Sequence, residues 1–292
     1  MPTVASFAQV QQQPLTDGMT MAYRECGTGT PIVMLHGLAD QSLVWQSLAT
    51  YLSDRYRCFA PDLRGHGDSS KPPNPTAYQA QQLADDLEIC CQRQQLGAVH
   101  VVAHSWAAKI ALIWAQQAPA RLQSLTLADP FFVNRLSPVF RPTFPLLYRA
   151  LPFLRAMGPF PDWEQAQTMA QTMKQYRGWS DWQQAIFRAG MAPQPDGQWR
   201  SKFAIAARNG VFADVVQVAG LTVPLTIPTL LLLPTQGLNR MAWQTRPYYR
   251  YLPQLESRSI PGHHWPHLAD PDAFNQAVAA FLTRFTDGYP RF

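Results

Sequence analysis

Residues 99–108, VHVVAHSWAA, carry the reading of the fold. Val99 to Ala103 form a short apolar run rich in β-branched residues, as in a strand buried on both faces. Ile110, Ile113 and Trp114 then recur at helical spacing, so the chain passes from strand to helix through His104, Ser105 and Trp106. So tight a turn requires small residues two before and two after the serine, and Ala103 and Ala107 meet that requirement. A serine here serves one of two ends. Either it caps the helix, as serines commonly do, or its hydroxyl stands exposed at the strand tip as a nucleophile, beside the free N–H groups of the helix start. Its position directly behind a buried strand favours the second.

The rest of the first half repeats this rhythm. Residues 19–25 (MTMAYRE), 32–35 (IVML), 56–60 (YRCFA) and 124–128 (SLTLA) read as strands. Leu43, Val44, Leu48 and Leu52 mark one helix face between them, and Leu83, Leu87, Cys90 and Cys91 another. Strands alternating with helices predict an α/β fold with a mostly parallel, doubly wound sheet covered on both faces. Functional groups in such sheets collect at the carboxyl ends of the strands. The loops at His36-Gly37, Asp62, Ser105 and Asp129 should therefore open on one edge.

The rhythm lapses over residues 131–224, which are rich in proline and aromatics such as Phe131, Phe132, Phe140, Phe144, Trp163 and Trp199. It resumes with TLLLL at 229–233 and ESRSI at 256–260. The last helix has Asp270 as N-cap, Pro271 in its first turn, and Phe274, Val278, Phe281, Leu282 and Phe285 on one stripe. Residues 1–130 and 225–292 are thus expected to form one core, with 131–224 inserted as a helical cap of short, proline-broken helices.

Composition narrows the function. The chain of 292 residues is 47% hydrophobic and 15% charged, which suits a large buried core. Its net charge of +5 comes without a basic run of the kind that binds nucleic acid, so no nucleic-acid partner is expected. Cys26, Cys58, Cys90 and Cys91 form no CxxC pair and no disulfide framework, which points to a reduced, cytoplasmic protein. The first residues lack the charge and apolar run of a secretion signal, and no stretch approaches the ~18 apolar residues of a membrane span. The chain has no Gly-x-Gly-x-x-Gly after its first strand and no phosphate-binding loop, so no cofactor is implied.

A serine hydroxyl needs a neighbouring base. His264, in GHHWPHLADP after the last strand, lies on a loop of the edge that would carry Ser105. The neighbouring His263 and His267 raise a zinc site as a rival. Their spacing matches no zinc pattern, and both read as surface or capping residues.

PIVMLHG (31–37), APDLRGHGDSSKP (60–72), LADDL (83–87), VHVVAHSWAA, LQSLTLADP (122–130) and GHHWPHLADPDAF (262–274) together resemble the α/β-hydrolase superfamily. The matches cover about two-thirds of the chain and miss only residues 131–224, where such enzymes carry a variable cap. The resemblance implies Ser105 as nucleophile, His264 as base, and an oxyanion hole from the backbone N–H groups of Leu38 and Trp106. Losing one such donor typically costs ~10²–10³ in rate. His36, Arg64 and His66 match strand-end and loop positions and read mainly as structural.

One position departs from the family pattern. The triad carboxylate usually follows the strand that is TLLLL here, yet PTQGLNRMAW has no acid, and none occurs between Asp214 and Glu256. Three readings stay open. Asp129 lies where some family members, including haloalkane dehalogenases, keep the acid. Asn239 could orient the ring as a neutral acceptor. Or the histidine has no functional third partner. Trp106 after the nucleophile is similar to the Asp-Trp of the dehalogenases, but their chemistry needs a carboxylate where Ser105 stands.

The expected activity is therefore hydrolysis of a carboxylic ester or related acyl bond through an acyl-enzyme, on a small apolar acyl substrate held under the aromatic-rich cap. Carbon–carbon bond hydrolysis or acyl transfer would use the same residues. A non-catalytic ligand receptor is the alternative of another class, and the missing acid is the feature that supports it.

Overall fold

The computed structural model describes residues 7, 9–16, 18–131 and 133–285. Phe132 and most of the N-terminal stretch examined for a secretion signal lie outside them. The core elements are strands β1 (Gln11–Pro14), β2 (Thr20–Cys26) and β3 (Thr30–Leu35), helix α1 (Gln46–Leu52), β4 (Tyr56–Pro61), α2 (Ala80–Arg93), β5 (Val99–His104), α3 (Ala107–Gln117) and β6 (Leu122–Ala128). Next come α4 (Phe144–Ala150), α5 (Pro152–Arg155), α6 (Trp163–Gln171), α7 (Asp181–Ala189), a hairpin of β7 (Met191–Pro193) and β8 (Trp199–Ser201), and α8 (Ile205–Val215). The core resumes with β9 (Thr229–Gln236), α9 (Ala242–Tyr251), β10 (Leu255–His263), α10 (Pro266–Ala269) and α11 (Pro271–Leu282).

Eight strands form one sheet in the order β1-β2-β4-β3-β5-β6-β9-β10. The pairs from β4 through β10 are parallel, while β2 runs antiparallel to both β1 and β4. Side chains alternate across the sheet with period two. Val33, Leu35, Val101 and Ala103 face Leu83, Leu87, Ile110 and Trp114 of α2 and α3. Ile32, Met34 and Val102 face Leu48 and Leu52 of α1 and Phe274 and Val278 of α11. This two-sided burial explains why β5 reads as a mostly apolar run, with His100 the exception, its ring hydrogen-bonded to Ser124. Trp114 and Phe274 are fully buried, and truncating either to alanine should cost about 3–5 kcal/mol.

A fully buried ion pair ties the segment between β6 and β9 to the sheet. Lys109 of α3 donates to Asp214 of α8 at 2.6 Å, and Asp214 also accepts the Ala80 N–H at the start of α2. The segment holds the short helices expected of it and one strand pair, β7–β8, that the pattern did not announce. Among the described residues no helix is long and apolar enough to cross a membrane.

Candidate active site

The parallel strands end together, and their tips build the site. β5 ends at His104, and Ser105 takes φ +55° before α3 begins. That left-handed conformation is costly for a residue with a Cβ and persists because the surroundings hold it. The Ser105 N–H donates to Ala128 O of the neighbouring strand at 3.0 Å. Bulky residues at 103 or 107 would crowd this turn, which accounts for the two alanines. The Ser105 side chain caps no helix. Its Oγ lies 2.9 Å from His264 Nε2.

His264 follows β10 and is anchored from both sides. His104 Nε2 donates to the His264 carbonyl at 2.6 Å, so the residue before the serine fixes the loop that carries the histidine. The backbone of Gly37 passes so close that a Cβ there would meet His104 Nδ1 at 2.7 Å, a contact only glycine permits. On the other side His264 Nδ1 lies 2.7 Å from Asp129 Oδ2. An ionised carboxylate only accepts hydrogen bonds, so Nδ1 carries the proton and the Nε2 lone pair faces the serine hydroxyl.

Asp129 ends β6 with φ +38° and is completely buried. A buried carboxylate needs donors on its remaining lone pairs, and the loop after β9 supplies them. The Leu238 N–H donates to Oδ2 at 2.8 Å and Asn239 Nδ2 to Oδ1 at 2.9 Å. Asn239 also donates to Pro130 O at 2.8 Å. Asn239 is therefore not the acceptor for the histidine ring that the sequence left open. Its amide faces the acid and Asp129 occupies the ring nitrogen. Gly237 closes the cradle, for a Cβ there would stand 2.7 Å from both Asp129 oxygens. The sequence reading missed this glycine, although its place in an acid-free loop was the available signal.

Leu38 and Trp106 border the same cavity as Ser105. Among the described residues their backbone N–H groups have no hydrogen-bond partner. The cavity has a volume of about 740 Å³. Trp106, Phe131, Phe144, Leu151, Phe153 and Phe212 form its apolar wall, and Lys174, Gln236, Arg240 and His263 its polar one. Residues 131–224 therefore contribute most of the apolar wall.

His36, Arg64 and His66 stand behind the site. His36 Nε2 accepts the Leu63 N–H at 3.0 Å, Arg64 grips Asp86 of α2 through two nitrogens, and His66 stacks between Trp106 and Phe203. His263 Nδ1 accepts the Trp265 N–H at 3.2 Å. His267 departs from the expectation of a surface residue. It is buried, stacked on Trp45 at 4.7 Å, and burial pushes its imidazole down to about 3. The sequence missed this because Trp45 lies far away along the chain. It also missed Asp40, a fully buried carboxyl held by Trp265 Nε1 at 3.2 Å and pushed up to about 7 by its burial. Among the described residues no group of three His, Cys, Asp or Glu is arranged to hold a metal.

This topology, with a left-handed serine at the tip of the fifth strand and a histidine after the last, defines the class. The model of the alpha/beta hydrolase fold family matches residues 30–271, and the chain belongs to that family. It is 28% identical over 283 residues to a haloalkane dehalogenase of Sphingobium indicum, covering 91% of this chain and 93% of the relative. It is 35% identical over 121 residues to epoxide hydrolase 3 of Siraitia grosvenorii, a match covering 41% of this chain and only 38% of that protein. Among solved structures, E-2-(acetamidomethylene)succinate hydrolase superposes with a TM-score of 0.74 at 23% identity, covering 94% of this chain and all of that one, which shows a shared fold. Hydrolase chemistry is common to these named relatives.

Proposed function

We propose that the chain is a serine hydrolase that cleaves a carboxylic ester or related acyl bond through an acyl-enzyme. The observation that carries this reading is the line from Ser105 Oγ through the His264 ring to Asp129, with contacts of 2.9 and 2.7 Å. Ser105 Oγ attacks the acyl carbon while its proton passes to His264 Nε2, and Asp129 stabilises the imidazolium that results. The carbonyl oxygen takes up the negative charge, and the free N–H groups of Leu38 and Trp106 are its donors. As the acyl–oxygen bond breaks, His264 returns the proton to the leaving alkoxide. A water molecule, deprotonated in turn by His264, then releases the acid and restores the serine.

The nucleophile argues against the reactions named for the relatives at 28% and 35% identity. Serine attack on an alkyl halide or an epoxide carbon would leave an ether, which water does not cleave from a protein. Attack on an acyl carbon leaves an ester, which it does. The segment 131–224 acts as a cap that holds the apolar part of the substrate. The absent acid after β9 is the feature that favours a non-catalytic receptor, and the 2.7 Å contact between Asp129 and His264 supports the catalytic reading instead.

The test is labelling by a fluorophosphonate probe, which reacts with activated serines. The wild-type protein should be labelled at Ser105, and the Ser105→Ala variant should not. Folded wild-type protein that resists the probe would leave the receptor reading standing instead.

A further inference from the structure

We propose that the mouth of the cavity docks on an anionic lipid surface. Two stretches of chain form its lips. Residues 130–161 contain Arg135, Arg141, Arg149 and Arg155 and no acid, and residues 236–246, from the end of β9 into the first turns of α9, contain Arg240 and Arg246 and again no acid. These six arginines exceed the net charge of +5, so the rest of the chain carries no net positive charge. The excess positive charge thus belongs to the two stretches that border the cavity.

The same two stretches expose apolar side chains. Val139, Phe140 and Leu146 on the first lip are 72, 49 and 69% exposed, and Met241 and Trp243 on the second are each 61% exposed. Both lips border one opening, because Leu147 of the first and Leu238 and Arg240 of the second line the same cavity. The Tyr248 hydroxyl of α9 reaches the Phe131 carbonyl at 3.5 Å, which fixes one lip beside the other. Among the described residues Arg135, Arg141 and Arg149 form no ion pair.

Large apolar tips interleaved with unpaired arginines match a membrane interface, where arginine meets lipid phosphate and the tips enter the acyl boundary. A nucleic acid or an acidic protein would satisfy the charge but offers the tips no hydrocarbon. Taken together with the activity proposed above, docking would let an apolar ester pass from the lipid into the cavity without crossing water. Docking itself requires no turnover, so it is tested apart from catalysis.

The experiment is co-sedimentation of the full chain with vesicles of phosphatidylcholine alone, or with about one-third phosphatidylglycerol. Binding to the anionic vesicles should be at least about tenfold tighter and should weaken with added salt. Replacing Arg141→Gln and Arg149→Gln together should weaken it by about tenfold or more. Leu146→Ser, which removes the apolar tip without changing charge, should weaken it too, while binding of polyglutamate shows no such dependence. Arg55→Gln, at the opposite edge of the sheet before β4, should bind as the parent does, and so should Ser105→Ala. All these side chains except Ser105 are exposed, and thermal unfolding checks that each variant is folded. Three results would overturn the proposal: absent or equal binding to both vesicles, arginine variants that bind like the parent, or insensitivity to Leu146→Ser.

Discussion

A single methyl group at position 237 tests how the acid is held. Gly237 does not adopt a left-handed φ, so alanine suits its backbone, and the added Cβ is the only perturbation. That Cβ would stand 2.7 Å from Oδ1 and from Oδ2 of Asp129. Ordinary contact needs about 0.7 Å more, and the carboxylate cannot rotate away from both clashes at once. It must shift as a unit, and with it the contacts to His264, Leu238 and Asn239 at 2.7, 2.8 and 2.9 Å. Misplacement on that scale in a preorganised site costs up to about 10²-fold in rate, or about 2.7 kcal/mol in the barrier. Overpacking should also lower stability by about 1–3 kcal/mol.

The assay is kcat/KM on a soluble 4-nitrophenyl ester, with the rate of fluorophosphonate labelling measured beside it. Both should fall together, because both depend on how basic and how well aimed His264 is. Thermal unfolding separates this from loss of fold. A folded Gly237→Ala protein with kcat/KM within about threefold of wild type would refute the reasoning. Either the loop would yield freely, or the contact between Asp129 and His264 would not limit the reaction.

Asp129→Asn should lower kcat by about 10³–10⁴, since the amide permits the wrong tautomer. Asn239→Ala removes only a donor to the acid and should cost about tenfold or less, so near-equal effects on esterase activity would contradict the assignment of roles. Lys109→Ala strands a buried carboxylate at Asp214 and should cost about 3–5 kcal/mol, a Tm drop of roughly 10 °C in calorimetry, which pairing it with Asp214→Leu should largely reverse. Asp40 binds a proton in the folded state up to about 7, against about 4 unfolded. Its stability contribution is therefore complete below about pH 4 and lost as pH rises towards and through about 7, on the order of 4 kcal/mol. Asp40→Asn should remove that slope, and unfolding curves for the two proteins that stay parallel from about pH 4 to about pH 8 would exclude it.

The parts legible in the sequence are those where one local pattern has one cause. β5 and α3 could be read from VHVVAHSWAA because a strand buried on both faces is apolar at four of its first five positions, His100 being the exception, and the helix start forces small flanks around Ser105. β1 could not be read, because QQQP is polar throughout and joins the sheet edge by backbone pairing to β2 alone. The β7–β8 hairpin turns at Asp196-Gly197, an ordinary turn signal. Three-residue strands, one ending in proline, are too short to show alternation beside it. Neither Asp40 nor His267 looked buried, because Trp265 and Trp45 cover them from elsewhere in the chain.

The acid illustrates why a strand-end loop cannot be judged alone. PTQGLN seemed deficient because it offers no carboxylate where the family keeps one. Its actual chemistry is the inverse: a backbone N–H at Leu238, an amide at Asn239 and an empty Cβ position at Gly237, which together receive a carboxylate from the neighbouring strand. A second acid in that loop would face Asp129 at close range, and two like charges so buried cannot both stay ionised. The missing residue and the relocated one are thus a single constraint expressed on two adjacent strands, β6 and β9, which pair in parallel from Leu125 to Ala128 and run towards the same edge of the sheet. Only the strand order makes them neighbours, and that order lies in the pairing of residues about a hundred positions apart along the chain.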